Sequence, residues 1–431
     1  MIEPHGGPDR VGTRQRKALA AIGVLVGVLA LGTLGLEFRN RASTTSATPI
    51  AVLGASTEMP TTSTIAATTT TTTTTTTEAP PPPRRTAQLA FTGDTLSHRG
   101  VVRQAAQNAA DSDAEYDFAP MFDRVREVIS SADLAICHLE TPLSIDNTRL
   151  SGYPTFNVPR ELADGLRTVG YDGCTFASNH SLDRRPEGVE ATLTVLDEAG
   201  LGHSGGARNQ AEYDEVTIYD AGGISVASLS YSYGFNGFTE PTDMPWLVNE
   251  IDIEEIRDEV DRARAAGAEY VALSLHWGTE YRHQPNQYQL DHAAMVAAIE
   301  GVDIVIGHHA HVVQPVDIVD GTPIVFGLGN FLSNQSANCC AAGSPDGVVM
   351  QVNIQELPDE DGPGFRTWLT YVPTRVDRTD YTIVPVVDAL EGDELSDAKR
   401  AELEASRKRT ADALNLLGNA AGLVESPCQT C

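Results

Sequence analysis

The chain has 431 residues, with 30 Lys+Arg against 59 Asp+Glu and a formal charge of −29. A surface this acidic excludes nucleic-acid binding, because phosphate contacts need basic side chains. With 41% hydrophobic and 21% charged residues, the composition is that of a protein able to bury a core, which excludes wholesale disorder.

The chain begins with a basic stretch, residues 1–17, containing Arg10, Arg14, Arg16 and Lys17. An uncharged run from Ala18 to Leu36 follows, 19 residues long. At ~1.5 Å per residue it reaches about 28 Å, enough for a hydrocarbon core of ~30 Å. Residues 18–36 are therefore expected to form a transmembrane anchor. Its length, and Glu37, Arg39 and Arg41 directly after it, favour an uncleaved anchor over a signal peptide. The positive-inside rule places residues 1–17 in the cytoplasm and the main domain outside the cell membrane, in a single-pass arrangement.

Residues 37–86 turn to Thr, Ser, Ala and Pro, with an unbroken threonine run from Thr68 to Thr77 and prolines from Pro80 to Pro83. Unpatterned Thr buries no apolar face and Pro favours extended backbone, so this segment reads as a disordered extracytoplasmic stalk. Residues 1–86 hold eight basic and five acidic side chains, so the rest carries 22 minus 54, or −32.

Short apolar runs then alternate with amphipathic stretches. Expected strands are Leu89–Thr92, Leu134–Leu139, Gly173–Ala177, Ile224–Tyr231, Tyr270–Leu275, Val302–Ile306 and Ile324–Leu328. Expected helices are Phe118–Ser131, Glu187–Ala199, Ile253–Ala266 and Tyr288–Ile299, with apolar residues recurring at three and four. Strand-then-helix repetition predicts an α/β domain over residues 87–390 with a largely parallel sheet. Antiparallel additions are expected at Val348–Ile354, Trp368–Val372 and Tyr381–Val386. Residues 391–431 hold a charged helix, about Asp393–Leu416, and a Cys-x-x-Cys tail.

In such folds ligands gather beyond the C-terminal strand ends. The apolar runs here lead into Asp94, Glu140, Asn179-His180, His276-Trp277-Gly278 and Gly307-His308-His309-Ala310-His311. Five of the 11 histidines fall at these ends. Carboxylate, amide and imidazole converging on one edge suit a borderline divalent cation such as Mn²⁺, Fe²⁺ or Zn²⁺. A carboxylate able to bridge allows one or two ions, the pair at ~3.5–4 Å that stabilises charge in phosphoryl or acyl chemistry.

The ordered set Gly93-Asp94, His138-Leu139-Glu140, Ser178-Asn179-His180, His276-Trp277-Gly278-x-Glu280-Tyr281, Gly307-His308-His309-x-His311 and Gly327-x-Gly-Asn330-Phe331 resembles the CapA family. Its members are membrane-anchored proteins of capsule synthesis, typically of poly-γ-glutamate, with a domain similar to the calcineurin-like metallophosphoesterases. The resemblance covers about residues 87–335 and implies a four-layer α/β/β/α sandwich. It implies that Asp94 and His311 hold one ion, that Glu140 bridges, and that Asn179, His276 and His309 hold the second. His180 would be the general acid, a role suited to imidazole. His308 and His138 would support these ligands. The sequence departs from the phosphoesterase pattern: Thr95 and Leu96 follow Asp94 where an Asp-x-His is usual, with His98 too far on. Glu140 replaces an Asp, and His138 stands where CapA-like sequences usually have Asn.

Further candidates surround these motifs. Tyr231, Tyr233 and Asn236 form an aromatic stretch after a strand, and Glu280, Tyr281 and Asn330 lie within the motifs. Arg99, Arg103, Arg184 and Arg185 follow motif residues and offer guanidinium groups to carboxylate or phosphate. Cys137 and Cys174, on neighbouring expected strands, are read as buried thiols or a disulfide, and Cys428 or Cys431 as partners for Cys339 or Cys340. The expected function is a metal-dependent hydrolase or transferase in synthesis or attachment of an anionic cell-surface polymer, acting on the polymer or its precursor beside membrane capsule synthase subunits. The alternatives are a non-catalytic polymer-binding or scaffolding subunit of the synthase, and a secreted phosphoesterase.

Overall fold

A computed structural model describes residues 83–358, 364–392, 395–420 and 422–427. The expected anchor and nearly all of the expected stalk lie outside the described residues, as do Cys428 and Cys431. Among the described residues no helix is long and apolar enough to cross a membrane.

The first half of the domain runs β1 (Thr86–Leu96), α1 (Arg99–Asn108), a 3₁₀ segment (Ala119–Val125), α2 (Arg126–Ser130), β2 (Leu134–Leu139), α3 (Glu161–Val169), β3 (Gly173–Thr175), α4 (Arg185–Ala199), β4 (Gly202–Ser204) and α5 (Gln210–Asp214). The second half runs β5 (Ile218–Ala221), β6 (Ile224–Ser232), α6 (Ile253–Ala265), β7 (Tyr270–His276), α7 (Gln287–Ala297), β8 (Ile304–His308), β9 (Val316–Val319), β10 (Thr322–Val325) and β11 (Asn330–Ser333). The antiparallel additions are β12 (Asp346–Glu356), β13 (Phe365–Val376) and β14 (Ile383–Pro385), followed by α8 (Val386–Glu391), α9 (Asp397–Leu414) and β15 (Val424–Glu425).

The strands form two sheets where the strand-helix rhythm suggested one. The first has the order β14-β13-β12-β1-β2-β3-β4, with β11 beside β1; the second has β5-β6-β7-β8-β10-β9. Pairing is parallel from β1 to β4 and from β6 through β8 to β10, and antiparallel where β12, β13, β14, β5 and β9 join. The segment expected as one helix over Phe118–Ser131 opens as 3₁₀, with Pro120 in its first turn and Asp117 accepting from the Ala119 N–H, and becomes α-helical only at Arg126.

Strand side chains alternate between faces, and here both faces are covered, which is why the strands read as continuous apolar runs. On β1 and β2, Ala90, Ala135 and Cys137 pack with Val101, Phe122, Leu162 and Leu166 under the helices. Leu89, Phe91, Leu134 and Ile136 turn the other way, against Tyr270, Ala272, Ile304 and Ile306 of the second sheet. The reverse face of that sheet, with Leu229, Leu273 and Leu275, packs on Ile256 and Val260 of α6 and Ala293 and Val296 of α7. The layers therefore run helices, sheet, sheet, helices. Both outer helices are capped: Asp252 accepts from the Glu254 and Glu255 N–H groups, and Asn286 with Gln289 forms a capping box.

Register puts Cys137 directly opposite Cys174, and they form a disulfide. Cys339 and Cys340 pair with each other and not with the tail.

Candidate metal centre

The parallel strands carry their polar ends to one edge. Asp94 sits opposite His138 on β2 and Asn330 on β11, at a register shift in β1 that re-aims its side chain. His276 and His308 end β7 and β8 opposite one another. Gly93 permits this closeness: a Cβ there would meet the Gly329 carbonyl oxygen at 2.1 Å. Gly307 is equally constrained, with the Phe326 carbonyl oxygen 1.9 Å from where its Cβ would be.

Asp94, His138, Glu140, His276, His308, His309 and His311 are all buried. The His311 Nδ1 lies 3.0 Å from Asp94 Oδ2 and 3.1 Å from Asn330 Oδ1, while its Nε2 lies 3.6 Å from Glu140 Oε1. The His309 N–H points at both Asp94 oxygens, at 3.4 and 3.3 Å. Two triads have ligand atoms within 4.8 Å of one another: Asp94, Glu140 and His311, and Asp94, His138 and His308. Asp94 is the group common to both. Glu140, to which the resemblance gave the bridging role, belongs to one triad.

Asn179, His276 and His309 are placed beside these triads. His276 Nε2 lies 3.0 Å from Asn179 Oδ1, and its Nδ1 lies 2.9 Å from His138 Nε2. His138 Nδ1 continues to the Thr175 hydroxyl at 2.8 Å. His138 also stacks on His308, with ring centroids 3.8 Å apart.

The residues fit a divalent cation by a direct criterion. Both Glu140 oxygens, His308 Nδ1 and His309 Nδ1 are buried without a hydrogen-bond partner. Orphaned acceptors at this density are costly unless something binds them. His308 Nδ1 lies 3.4 Å from Asp94 Oδ1, but without hydrogen-bond geometry.

Electrostatics divide the two carboxylates. Burial alone would raise the Asp94 carboxyl, yet contacts from His308 and His311 hold it well below the usual range. Burial pushes Glu140 well above it, and the His311 charge offsets this only partly. Burial lowers His309 to about 3, and it drives His138 and His276 well below the ordinary imidazole value, so all three are neutral donors of a lone pair. Burial would also lower His311, but Glu140 and Asp94 raise it to about 9.

His180 stands next to this cluster, its Nδ1 2.8 Å from Asp183 Oδ2 and its ring edge-on to Phe156. Asp183 also accepts from the Phe156 N–H at 2.6 Å. That leaves His180 Nε2 as the free nitrogen of a ring whose orientation is fixed. Asp183 was absent from the sequence reading, although an acid three residues after His180, in the turn before α4, was the available cue. Gln335 was also missed; it accepts from the Asn330 amide at 3.0 Å and donates to the Tyr281 hydroxyl at 3.2 Å.

Tyr233 is half-exposed over His309 and parallel to His276, and Tyr281 lies 5.9 Å from His311. Asn236 bridges Asn179 and His180 at 3.3 and 3.4 Å. Glu280 adds to the charge felt by His311 and Glu140. Tyr231 is a correction to its place among these candidates: it is fully buried, with its hydroxyl 2.5 Å from Glu259 on α6, and because β6 ends at Ser232, Tyr233 leaves the face that a continuing strand would have shared with it. Arg99 and Arg103 are exposed on α1, and His98 packs edge-on to Phe156, bonded to the Leu96 carbonyl.

Residues 88–335 match the family model described as bacterial capsule synthesis protein PGA_cap. The chain is 27% identical over 255 residues to the PGA biosynthesis protein CapA of Bacillus subtilis, covering 57% of this chain and 63% of that protein. It is 26% identical over 224 residues to the capsule biosynthesis protein CapA of Bacillus anthracis, covering 50% and 54%. The chain thus spans less than two thirds of either relative. Among solved structures it is similar to the calcineurin-like phosphoesterase YfkN of Bacillus subtilis, with TM-score 0.39 and 11% identity over 77% of this chain and 99% of that one.

Proposed function

Because the chain belongs to the PGA_cap family of bacterial capsule synthesis proteins, we propose that it is a membrane-anchored, extracytoplasmic protein of capsule synthesis. Its edge site hydrolyses or transfers an anionic, poly-γ-glutamate-like polymer or its precursor, beside membrane synthase subunits. Its four layers are read as a sandwich of the calcineurin-like metallophosphoesterase type.

The observation that carries this reading is the pair of buried triads sharing Asp94, beside a Glu140 whose oxygens have no partner. Asp94, Glu140 and His311 would hold one divalent cation and Asp94, His138 and His308 a second, with Asn179, His276 and His309 adjoining. Such a cation supplies Lewis acidity toward an acyl or phosphoryl oxygen. The chain's own groups do the rest. His180 Nε2 delivers a proton to the leaving atom, while Asp183 keeps the proton-bearing Nδ1 turned inward and stabilises the imidazolium. Tyr233 and Tyr281 wall the mouth and exclude water from the edge.

The test is metal analysis combined with turnover of γ-linked oligoglutamate by the purified chain. Mn, Fe or Zn that is lost in Asp94→Asn, with turnover lost and metal kept in His180→Ala, is expected. A chain free of metal after saturating exposure overturns the reading. Bound metal without turnover moves the protein to the scaffolding alternative.

A further inference from the structure

A cavity of about 550 Å³ has Asp183, the partner of His180, among its lining residues. Its walls are the 143–149 loop, Asn157 and the turn into α4, and Arg149, Arg184 and Arg185 line it. Arg184 Nη2 donates to the Arg149 carbonyl at 3.5 Å. Gly188 lets Arg184 cross the first turn of α4: a Cβ at 188 would sit 2.2 Å from the Arg184 Cβ. Arg149 and Arg185 both hold positive φ, +54° and +60°, a conformation that is strained outside glycine and concentrates at functional sites.

Three arginines gather at this cavity. In a domain that carries −32 after the first 86 residues, Arg160, Arg208, Arg264, Arg375 and Arg409 are each in ion pairs. Arg149, Arg184 and Arg185 form none among the described residues; Arg185 instead covers the Phe238 ring at 4.2 Å. The acids on the same wall are Asp146, Asp183 and Glu187. Asp146 is turned onto the Thr148 N–H and hydroxyl at 3.0 and 2.7 Å, and Asp183 is committed to His180 and the Phe156 N–H. Two of the three carboxylates are thus held by other donors, and the guanidinium forks stay open to an incoming anion. The Asp183 side chain itself is fully covered, so the arginines and not this carboxylate face an incoming chain.

We propose that this cavity is a subsite for consecutive carboxylates of an anionic chain, with Arg149 and Arg184 as the carboxylate-binding groups. Asp183, shared between the cavity wall and His180, leads the chain to the edge site. The subsite rests on the polymer reading above and also answers the charge problem it raises, because long-range repulsion from an acidic domain is offset where guanidinium groups are unpaired.

The experiment is equilibrium binding of a short γ-linked oligoglutamate to the full chain, against inorganic polyphosphate of equal charge. Arg149→Gln/Arg184→Gln weakens the oligoglutamate by about tenfold or more and flattens its salt dependence. Arg366→Gln, on β13 at the opposite end of the first sheet, leaves it unchanged. Unchanged affinity in the double variant, or preference for polyphosphate in the parent chain, overturns the subsite. Asp94→Asn separates the two readings: oligoglutamate affinity kept after metal is lost supports the subsite even if turnover fails, whereas affinity lost with the metal overturns it.

Discussion

The first sheet brings Asp94, His138, Glu140 and Asn179 to the edge, whereas the second brings His276, His308, His309 and His311, so both carboxylates sit on one sheet and most imidazoles on the other. Their backbones differ as well. On the first sheet β2 and β3 are joined by the Cys137–Cys174 disulfide, directly before His138. On the second, the loop after β8 holds His309 at φ +85° and His311 at φ +52°. Each triad draws on both sheets: His311 joins Asp94 and Glu140, and His308 joins Asp94 and His138. The site exists only because Leu89, Phe91, Tyr270 and Ile306 pack the sheets together, so ion binding reports on that packing.

The largest effect follows from Asp94, the one group both triads use. Asp94→Asn removes the charge that His308 and His311 face, and ion affinity falls by about a thousandfold or more, ~4 kcal/mol. Calorimetric titration with Mn²⁺ checks this. A smaller loss would mean that the imidazole edge binds an ion by itself. Next comes the staple. Cys137→Ala/Cys174→Ala opens a link across 37 residues, and chain-entropy arguments give a cost of about 3.8 kcal/mol, read as a lower denaturant midpoint. If the comparison holds, a reductant weakens ion binding through the first sheet while the second sheet's amides keep their exchange protection.

The imidazole edge predicts a pH dependence. Without an ion, His311 holds its proton up to about 9 and Glu140 is also raised, so binding must displace protons. Affinity therefore rises with pH, about tenfold per unit between pH 6 and 8 for one proton released, and flattens above about 9. His309, lowered to about 3, contributes no slope in that window. A flat profile would show that the ion avoids His311.

The sequence exposed one half of this comparison better than the other. Strand-end residues followed by Asp, Glu or His were legible because parallel strands buried on both faces are uninterrupted apolar runs, as in Tyr270–His276. The division into two sheets came only with the family resemblance and not from the apolar rhythm, since Val226 beside Tyr270 and Leu89 beside Leu134 are indistinguishable as pairings until tertiary contacts choose them. The grouping of ligands was likewise hidden: that His138 stacks on His308 while His276 turns to Asn179 depends on rotamers and register across 97 residues and more. Tyr231 was misplaced for a simpler reason. Adjacent aromatic positions in Tyr231-Ser232-Tyr233 lie on one face only while the strand lasts, and β6 ends at Ser232.

Glu140 gives the smallest but sharpest test, because its role in the first sheet reverses with the ion. Its folded value lies well above the ordinary carboxylate value, so the sign is that of a destabilising acid. In the ion-free protein, stability is unaffected below the unfolded value near 4.5 and is lost as pH rises from there toward the folded one. Gln has no such proton to lose and keeps the shape. Ion-free Glu140→Gln should therefore melt above the ion-free parent at pH 8, by about 1 kcal/mol, and coincide with it near pH 4. Saturating Mn²⁺ should invert the order, since the parent gains RT ln(1+[L]/Kd) and the variant, lacking one ligand oxygen charge, gains less. Crossing melting curves would assign Glu140 to the ion. Curves in which the variant is lower with and without Mn²⁺ would make its carboxylate part of the first sheet's own stability, and the contrast between the two edges would then need another basis.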